Sequence, residues 1–209
     1  MRTIFLYILD TMADWEPSYI LAELVSGRFL KEKNRPFTLK LCGSSRETIK
    51  TMGGIILKPD LIFENINPDL EDIVILPGAD IWLNPSQDKT ISFVNKLLEK
   101  GILVACICGA TMGLANHGLL DHRPHTSNDL NVLKIFCPNY KGEQFYEFQP
   151  AVTDRNLITA SGLNPVEFAY HVFKILNIMK KDTVNAWYNL YSTQKPEYYY
   201  ALMESLATK

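Results

Sequence analysis

Short runs that are apolar at every position alternate along this chain with longer stretches in which apolar residues recur every three or four positions. Thr3-Ile-Phe-Leu-Tyr-Ile-Leu9, Asp72-Ile-Val-Ile-Leu76 and Ile102-Leu-Val-Ala-Cys-Ile107 are of the first kind. They are strand-sized and have no polar face, which is the pattern of strands covered by helices on both sides of a parallel sheet. Phe37–Cys42 alternates and reads as a further strand, closed by Gly43-Ser44-Ser45. Of the second kind, Ile20, Leu21, Leu24, Val25 and Leu30 form a helical stripe with Pro17 at its first position, so Glu16 stands just before the helix. An amphipathic helix is predicted over residues 88–100, stopped by Gly101, and another directly after Cys108. A third starts at Asn164-Pro165, with Asn164 as its cap, and runs to Leu176. Residues 46–58, around Gly53-Gly54, read as a small hairpin, and Ala151–Asp154 with Asn156–Ala160 as two strands turning at Asp154-Arg155. The order predicts one α/β domain over residues 1–180 with a mostly parallel sheet, and a helical, aromatic-rich extension over residues 181–209. That extension is expected to pack on the domain or on a dimer partner.

Composition narrows the function classes. Of 209 residues, 47% are apolar, enough for a sizeable core, and the formal charge is −2 with both signs interspersed. No clustered basic patch offers a field for nucleic acid or a membrane surface. No apolar run reaches membrane-span length, and the N-terminus opens into a strand rather than a secretory leader. The expected compartment is the cytoplasm. Four scattered cysteines, Cys42, Cys106, Cys108 and Cys137, are too few for a disulfide framework. Cys106-x-Cys108 has no second pair at zinc-like spacing, so neither a metal nor another cofactor is expected.

In a parallel sheet the chemistry gathers beyond the carboxyl ends of the strands. Four segments should reach that edge: residues 10–16, residues 78–82, Cys108-Gly109-Ala110 and Ser161-Gly162. Cys108 stands where an apolar strand turns directly into a helix, the setting of a nucleophile elbow, and helix N–H groups there favour a thiolate. A buried cysteine ending a core strand fits the same position equally well. Cys42, Cys106 and Cys137 read as packing residues. Glu16, taken alone, is a surface acid at a helix N-terminus; beside Cys108 it would be a proton carrier. Ala79 N–H could join that of Gly109 as an oxyanion hole, or belong to an ordinary loop. Trp15 and Trp82 are expected to wall the pocket.

In combination these segments resemble a known family. Val104-Ala-Cys-Ile-Cys-Gly-Ala-Thr-Met-Gly-Leu-Ala115 resembles the nucleophile motif of the ThiJ/PfpI family, and Ala13-Asp-Trp-Glu16 its acidic motif. Leu76-Pro-Gly-Ala-Asp-Ile-Trp82 resembles its Pro-Gly-Gly loop, and Leu157-Ile-Thr-Ala-Ser-Gly162 with Glu167-Phe-Ala169 its closing strand and helix. The four occur in family order within residues 3–178. The resemblance implies a flavodoxin-like three-layer sandwich of the class I glutamine amidotransferase-like kind, commonly a dimer. It implies Cys108 as the reactive cysteine, Glu16 as its partner, and Ala79 and Gly109 as the backbone oxyanion donors. Members are assigned as cysteine peptidases, as glyoxalases or deglycases, and as oxidation sensors.

The sequence departs from that pattern in its histidines. Peptidase-like members have a histidine where this chain has Gly109, and others bring one from the segment that here reads His125-Thr-Ser-Asn128, with Asn128 aligned to it. His125 could take the role if the loop shifted; as a plain reading it is a solvent-exposed loop residue. His117, His122 and His171 read as non-catalytic. Glutamine amidotransfer needs a His-x-Glu late in the chain, and none is present. The expectation is a cysteine-nucleophile hydrolase or lyase acting on a small carbonyl compound or a peptide, in a homodimer. Cys108 attacks, Glu16 handles the proton, and His125 or Asn128 is the possible further partner. The alternative is a non-enzymatic sensor that works through oxidation of Cys108.

Overall fold

The computed structural model describes residues 2–33 and 35–207. The fully apolar runs become β1 (Thr3–Tyr7) and, further on, the centre of a seven-stranded sheet. After β1 come α1 (Ser18–Ser26), β2 (Thr38–Gly43), the pair β3 (Ile49–Lys50) and β4 (Ile56–Leu57), and β5 (Leu61–Ile62). Then follow β6 (Ile73–Leu76), α2 (Asp88–Glu99), β7 (Leu103–Ile107), α3 (Gly109–Asn116) and α4 (Leu130–Phe136). The chain closes with β8 (Ala151–Asp154), β9 (Leu157–Ala160), α5 (Pro165–Leu176), α6 (Lys181–Thr193) and α7 (Pro196–Ala207).

The sheet runs in the order β5-β2-β1-β6-β7-β9-β8, parallel throughout except for the final β9–β8 hairpin. Every residue of β6 and β7 is buried, so both faces of the sheet are covered, which is why these strands have no polar face. The register pairs Leu6 with Ile75, Ile75 with Ala105 and Ala105 with Ile158. The carboxyl ends of β1, β6, β7 and β9 therefore open onto one edge, and the loops that follow them meet there.

Local boundaries follow backbone chemistry. Gly27, at φ 68°, ends α1, so Leu30 belongs to the core but lies beyond the helix that its spacing suggested. Pro17 occupies the cap position of α1, one residue before the first helical turn. Asn164 stands at the cap of α5, but its side chain makes no capping bond. The 3-10 turn at residues 63–65, the two-residue β5 and the seven-residue α4 had no readable period because they are too short to show one.

The C-terminal extension is tied to α1 through a buried carboxylate. Trp187 of α6 is wholly buried, edge-on to Phe173 and against Tyr191, and its indole N–H donates to Glu23 at 2.9 Å. Glu23, 1% exposed, also takes two hydrogen bonds from the Arg28 guanidinium, at 2.6 and 2.5 Å. Tyr199 and Tyr200, by contrast, point outward. Trp187→Phe removes the donor and part of a buried ring; it is expected to cost at least about 2 kcal/mol in chemical denaturation, the scale of one hydrogen bond to a charged group plus a small cavity. A loss close to zero would show that Arg28 alone satisfies Glu23.

Candidate active site

β7 delivers Cys108 directly into α3, and the turn is strained. Cys108 has φ 59° and ψ −126°, a conformation that L-residues seldom adopt. Three contacts hold it there. Its N–H donates to Ala160 O at 2.9 Å, and its carbonyl accepts from the Thr111 N–H at 3.0 Å and the Thr111 hydroxyl at 2.6 Å. The helix sits close because Gly109 and Gly113 have no Cβ. One on Gly109 would lie 2.5 Å from Ala79 O, and one on Gly113 would lie 3.2 Å from the Trp82 ring. Trp82 itself is 1% exposed and donates its indole N–H to Pro77 O at 2.7 Å. It supports the elbow from beneath and does not wall a pocket, contrary to the expectation from sequence.

Glu16 reaches the same point from the loop before α1 and is wholly buried, so it is not the surface acid that its position alone suggested. Its Oε2 accepts the Gly78 N–H at 2.5 Å, while Oε1 has no well-formed hydrogen bond and faces Cys108. Burial raises the Glu16 carboxyl to about 7, against the lowering effects of the Gly78 N–H and the Cys108 thiol. The Cys108 thiol is also pushed up, first by burial and then by the Glu16 charge; Asn128 and the Gly109 N–H pull it down. The helix N-terminus does favour the thiolate as expected, but desolvation and the acid outweigh it. Both shifts favour the protonated forms, so near neutrality the thiol keeps its proton and the carboxyl beside it is the group that titrates.

Two glycines make room for that pair. A Cβ on Gly78 would stand 2.7 Å from Cys108 Cβ and 2.8 Å from both Glu16 oxygens. One on Gly162 would stand 2.7 Å from Cys108 Sγ and 3.0 Å from Glu16 Oε1. Both segments were expected at this edge of the sheet; that each must be glycine follows only from the close approach.

The histidines lie elsewhere. His125 is wholly buried, with Nδ1 2.8 Å from Arg123 O and Nε2 2.7 Å from the Tyr140 hydroxyl. It is neither the exposed loop residue expected nor within reach of the thiol, and burial lowers its pKa, keeping it neutral. Asn128 occupies the place beside the sulfur. Its Nδ2 donates to Cys108 Sγ at 3.2 Å, and its Oδ1 accepts the Gly162 N–H at 2.8 Å, which fixes which end of the amide faces the thiol.

Ala79 and Gly109 flank the elbow on the side of the β6 loop. Ala79 does not take a positive φ, so its methyl group is tolerated where the family motif has glycine. Trp15 is half-exposed and, with Met52 and Ile55, lines a shallow apolar depression next to the acidic segment. A separate depression of about 660 Å³ runs along β8 and α5 past His171 and Lys174 and is lined by no cysteine. Among the described residues, no group of three or more His, Cys, Asp or Glu side chains is arranged to hold a metal ion. No helix among them is long and apolar enough to cross a membrane.

A cysteine held at positive φ between a parallel strand and a helix, with a buried glutamic acid against it, stands at the carboxyl edge of a doubly wound α/β sheet. Residues 2–175 match the DJ-1/PfpI family, and the chain belongs to that family. It is 45% identical over 205 residues to a Bacillus subtilis protein named "Uncharacterized protease YoaZ", covering 98% of each chain. It is 35% identical over 86 residues, 39% of this chain and 50% of the other, to "Deglycase PH1704" of Pyrococcus horikoshii. Among solved structures, a thiJ/pfpI family protein from Bacillus anthracis superposes with a TM-score of 0.93 at 46% identity, over 98% of each chain.

Proposed function

We propose that the protein is a cysteine-nucleophile enzyme that acts on small carbonyl compounds, with Cys108 as nucleophile and Glu16 as the proton carrier. The observation that carries this reading is the buried Glu16 carboxyl, fastened by the Gly78 N–H and set against the sulfur in a site whose remaining contact is an amide. The Cys108 thiol passes its proton to the ionised Glu16 carboxylate as the sulfur adds to the carbonyl carbon, forming a C–S bond while the carbonyl π pair moves onto oxygen. The Ala79 and Gly109 N–H groups receive that oxyanion, and Glu16 delivers its proton to it, giving a hemithioacetal. Simple reversal returns the aldehyde; with an α-oxoaldehyde, Glu16 moves the C1 proton of the hemithioacetal to C2, giving a thioester that water hydrolyses to the hydroxy acid and the free Cys108 thiol.

Relatives carry both protease and deglycase in their names. Amide cleavage needs an acid at the leaving nitrogen, on the side of the sulfur where Cys–His enzymes place their imidazole. Asn128 stands there and has no proton to give. Addition to a free aldehyde, or to a glycated thiol whose leaving group is a thiolate, has no leaving amine and needs only the Glu16 proton, so this site suits glyoxalase-like chemistry or deglycation of thiols better than proteolysis. The test is turnover of methylglyoxal, glycated thiols and peptides by the wild type and by Cys108→Ser. Aldehyde-directed activity is expected to fall on the order of 10³-fold or more in the variant. Equal rates in the two proteins, or efficient peptide cleavage that depends on Cys108, would refute this assignment.

A further inference from the structure

The peptides on either side of Ala79 are each held by one hydrogen bond from a second loop, and Thr11, which holds one of them, does so in a strained backbone conformation. Gly78 O accepts the Ala13 N–H at 2.9 Å. In a trans peptide the N–H points opposite to the carbonyl, so Ala79 N–H is turned away from Ala13. Its nitrogen lies 3.2 Å from the point where a Cβ on Gly109 would stand, on the elbow side. At the next peptide, Asp80 N–H donates to the Thr11 hydroxyl at 2.9 Å, and Ala79 O is turned the other way, against Gly109. Residues 11–13 thus grip both peptides from one side.

Thr11 has φ 64°, a left-handed conformation that is costly for a β-branched side chain and free for glycine. Its backbone is braced by the β3–β4 hairpin. Thr11 N–H donates to Lys50 O and Met52 N–H to Met12 O, each at 2.9 Å, and Asp14 Oδ2 accepts the Gly53 N–H at 2.6 Å. What threonine supplies at this position, and glycine lacks, is the hydroxyl that receives Asp80 N–H.

We propose that Thr11 is a positioning residue that locks the Ala79 peptides with the N–H aimed at the developing oxyanion, and that the hairpin at residues 49–57 clamps this lock from behind. The proposal rests on the reading of Ala79 and Gly109 as oxyanion donors. Without the Thr11 hydroxyl, the Ala79–Asp80 peptide loses its anchor, and the Gly78–Ala79 peptide, then held by the Ala13 N–H alone, is free to turn its N–H out of the site. Carbonyl attack then loses its stabilisation, whereas a displacement at a saturated carbon, which develops no oxyanion, is indifferent to it.

Two probes separate these effects in the full-length protein. Iodoacetamide alkylates Cys108 by displacement of iodide; p-nitrophenyl acetate acylates it through a tetrahedral oxyanion, with p-nitrophenolate leaving unaided. The variants are Thr11→Gly, which relieves the strained φ and so does not threaten folding, and Thr11→Ser, which keeps the hydroxyl. Thr11→Gly is expected to slow the p-nitrophenolate burst by at least about tenfold with the iodoacetamide rate unchanged, and Thr11→Ser to retain both rates. An unchanged burst in Thr11→Gly overturns the lock. A fall in both rates together also overturns it, because it shows general loss of the site. A wild type inert to both probes fails at the nucleophile itself. One that takes iodoacetamide but not the ester fails at the oxyanion hole, before Thr11 is at issue.

Discussion

Gly162→Ala is expected to slow alkylation of Cys108 by about 10- to 100-fold while the protein remains folded. The new methyl group would fall 2.7 Å from Sγ, 2.9 Å from Cys108 Cβ and 3.0 Å from Glu16 Oε1, so something must move. Gly162 does not have a positive φ, so alanine brings no backbone penalty of its own. The segment is also free to retreat, because Leu163 next to it is 89% exposed. Retreat breaks the Gly162 N–H bond to Asn128 Oδ1, and Asn128 then no longer holds its amide donor on the sulfur. One hydrogen bond to a charged group is worth about 1.5–3 kcal/mol, which sets the scale of the rate loss. Gly78 is the less informative position. It is buried, and a Cβ there meets Cys108 and both Glu16 oxygens with no room to withdraw, so its replacement strains the fold as well as the site. Peptide-resolved alkylation rates with circular dichroism on Gly162→Ala decide the matter. An unchanged Cys108 rate in a folded variant would mean that the glycine is an accident of the loop.

The parts of this arrangement that were legible in the sequence are those governed by local pattern. β6 and β7 could be read as buried parallel strands because each is apolar at every position, and the elbow because an apolar run passes into a helix with no loop between. The β8–β9 turn followed from its composition, and Arg155 sits there at φ 51°. What could not be read depends on groups brought together across long separations. Thr11 meets Asp80 across 69 residues and Asn128 meets Gly162 across 34, and no periodicity encodes such pairings; Asn128 was set near Cys108, 20 residues away, only through the family resemblance. His125 was misplaced for a related reason. A polar residue in a loop reads as exposed unless its partners are known, and its partners, Arg123 O and the Tyr140 hydroxyl, belong to the long connection between α3 and β8. The site is assembled from segments whose positions the sheet dictates, and its final contacts are set by topology.

Glu16→Gln is expected to make the protein more stable than the wild type at alkaline pH by about 3 kcal/mol, with the advantage vanishing in acid. In the folded protein burial lifts the Glu16 carboxyl from its usual 4.5 to about 7, because the charged form is deprived of water and keeps only the Gly78 N–H as a full hydrogen bond. In the unfolded chain the same group ionises near its ordinary value. A folded pKa raised above the unfolded one means that the folded state binds the proton more tightly. Its contribution to stability is therefore fully present below about pH 4.5 and is lost as the pH rises through about 7. Glutamine keeps the shape and the acceptor for Gly78 but has nothing to ionise, so the stability difference between the two proteins should grow through that window and then level off. Other carboxylates titrate alike in both and cancel in the difference. The same substitution removes the negative charge that holds the Cys108 thiol up, so iodoacetamide should react at lower pH in Glu16→Gln even as aldehyde turnover falls for want of a proton carrier. Denaturation midpoints at three pH values and an alkylation profile test both halves together. Stability curves that run parallel from pH 4.5 to 8.5 would mean that Glu16 is ionised throughout and cannot be the group that carries the proton.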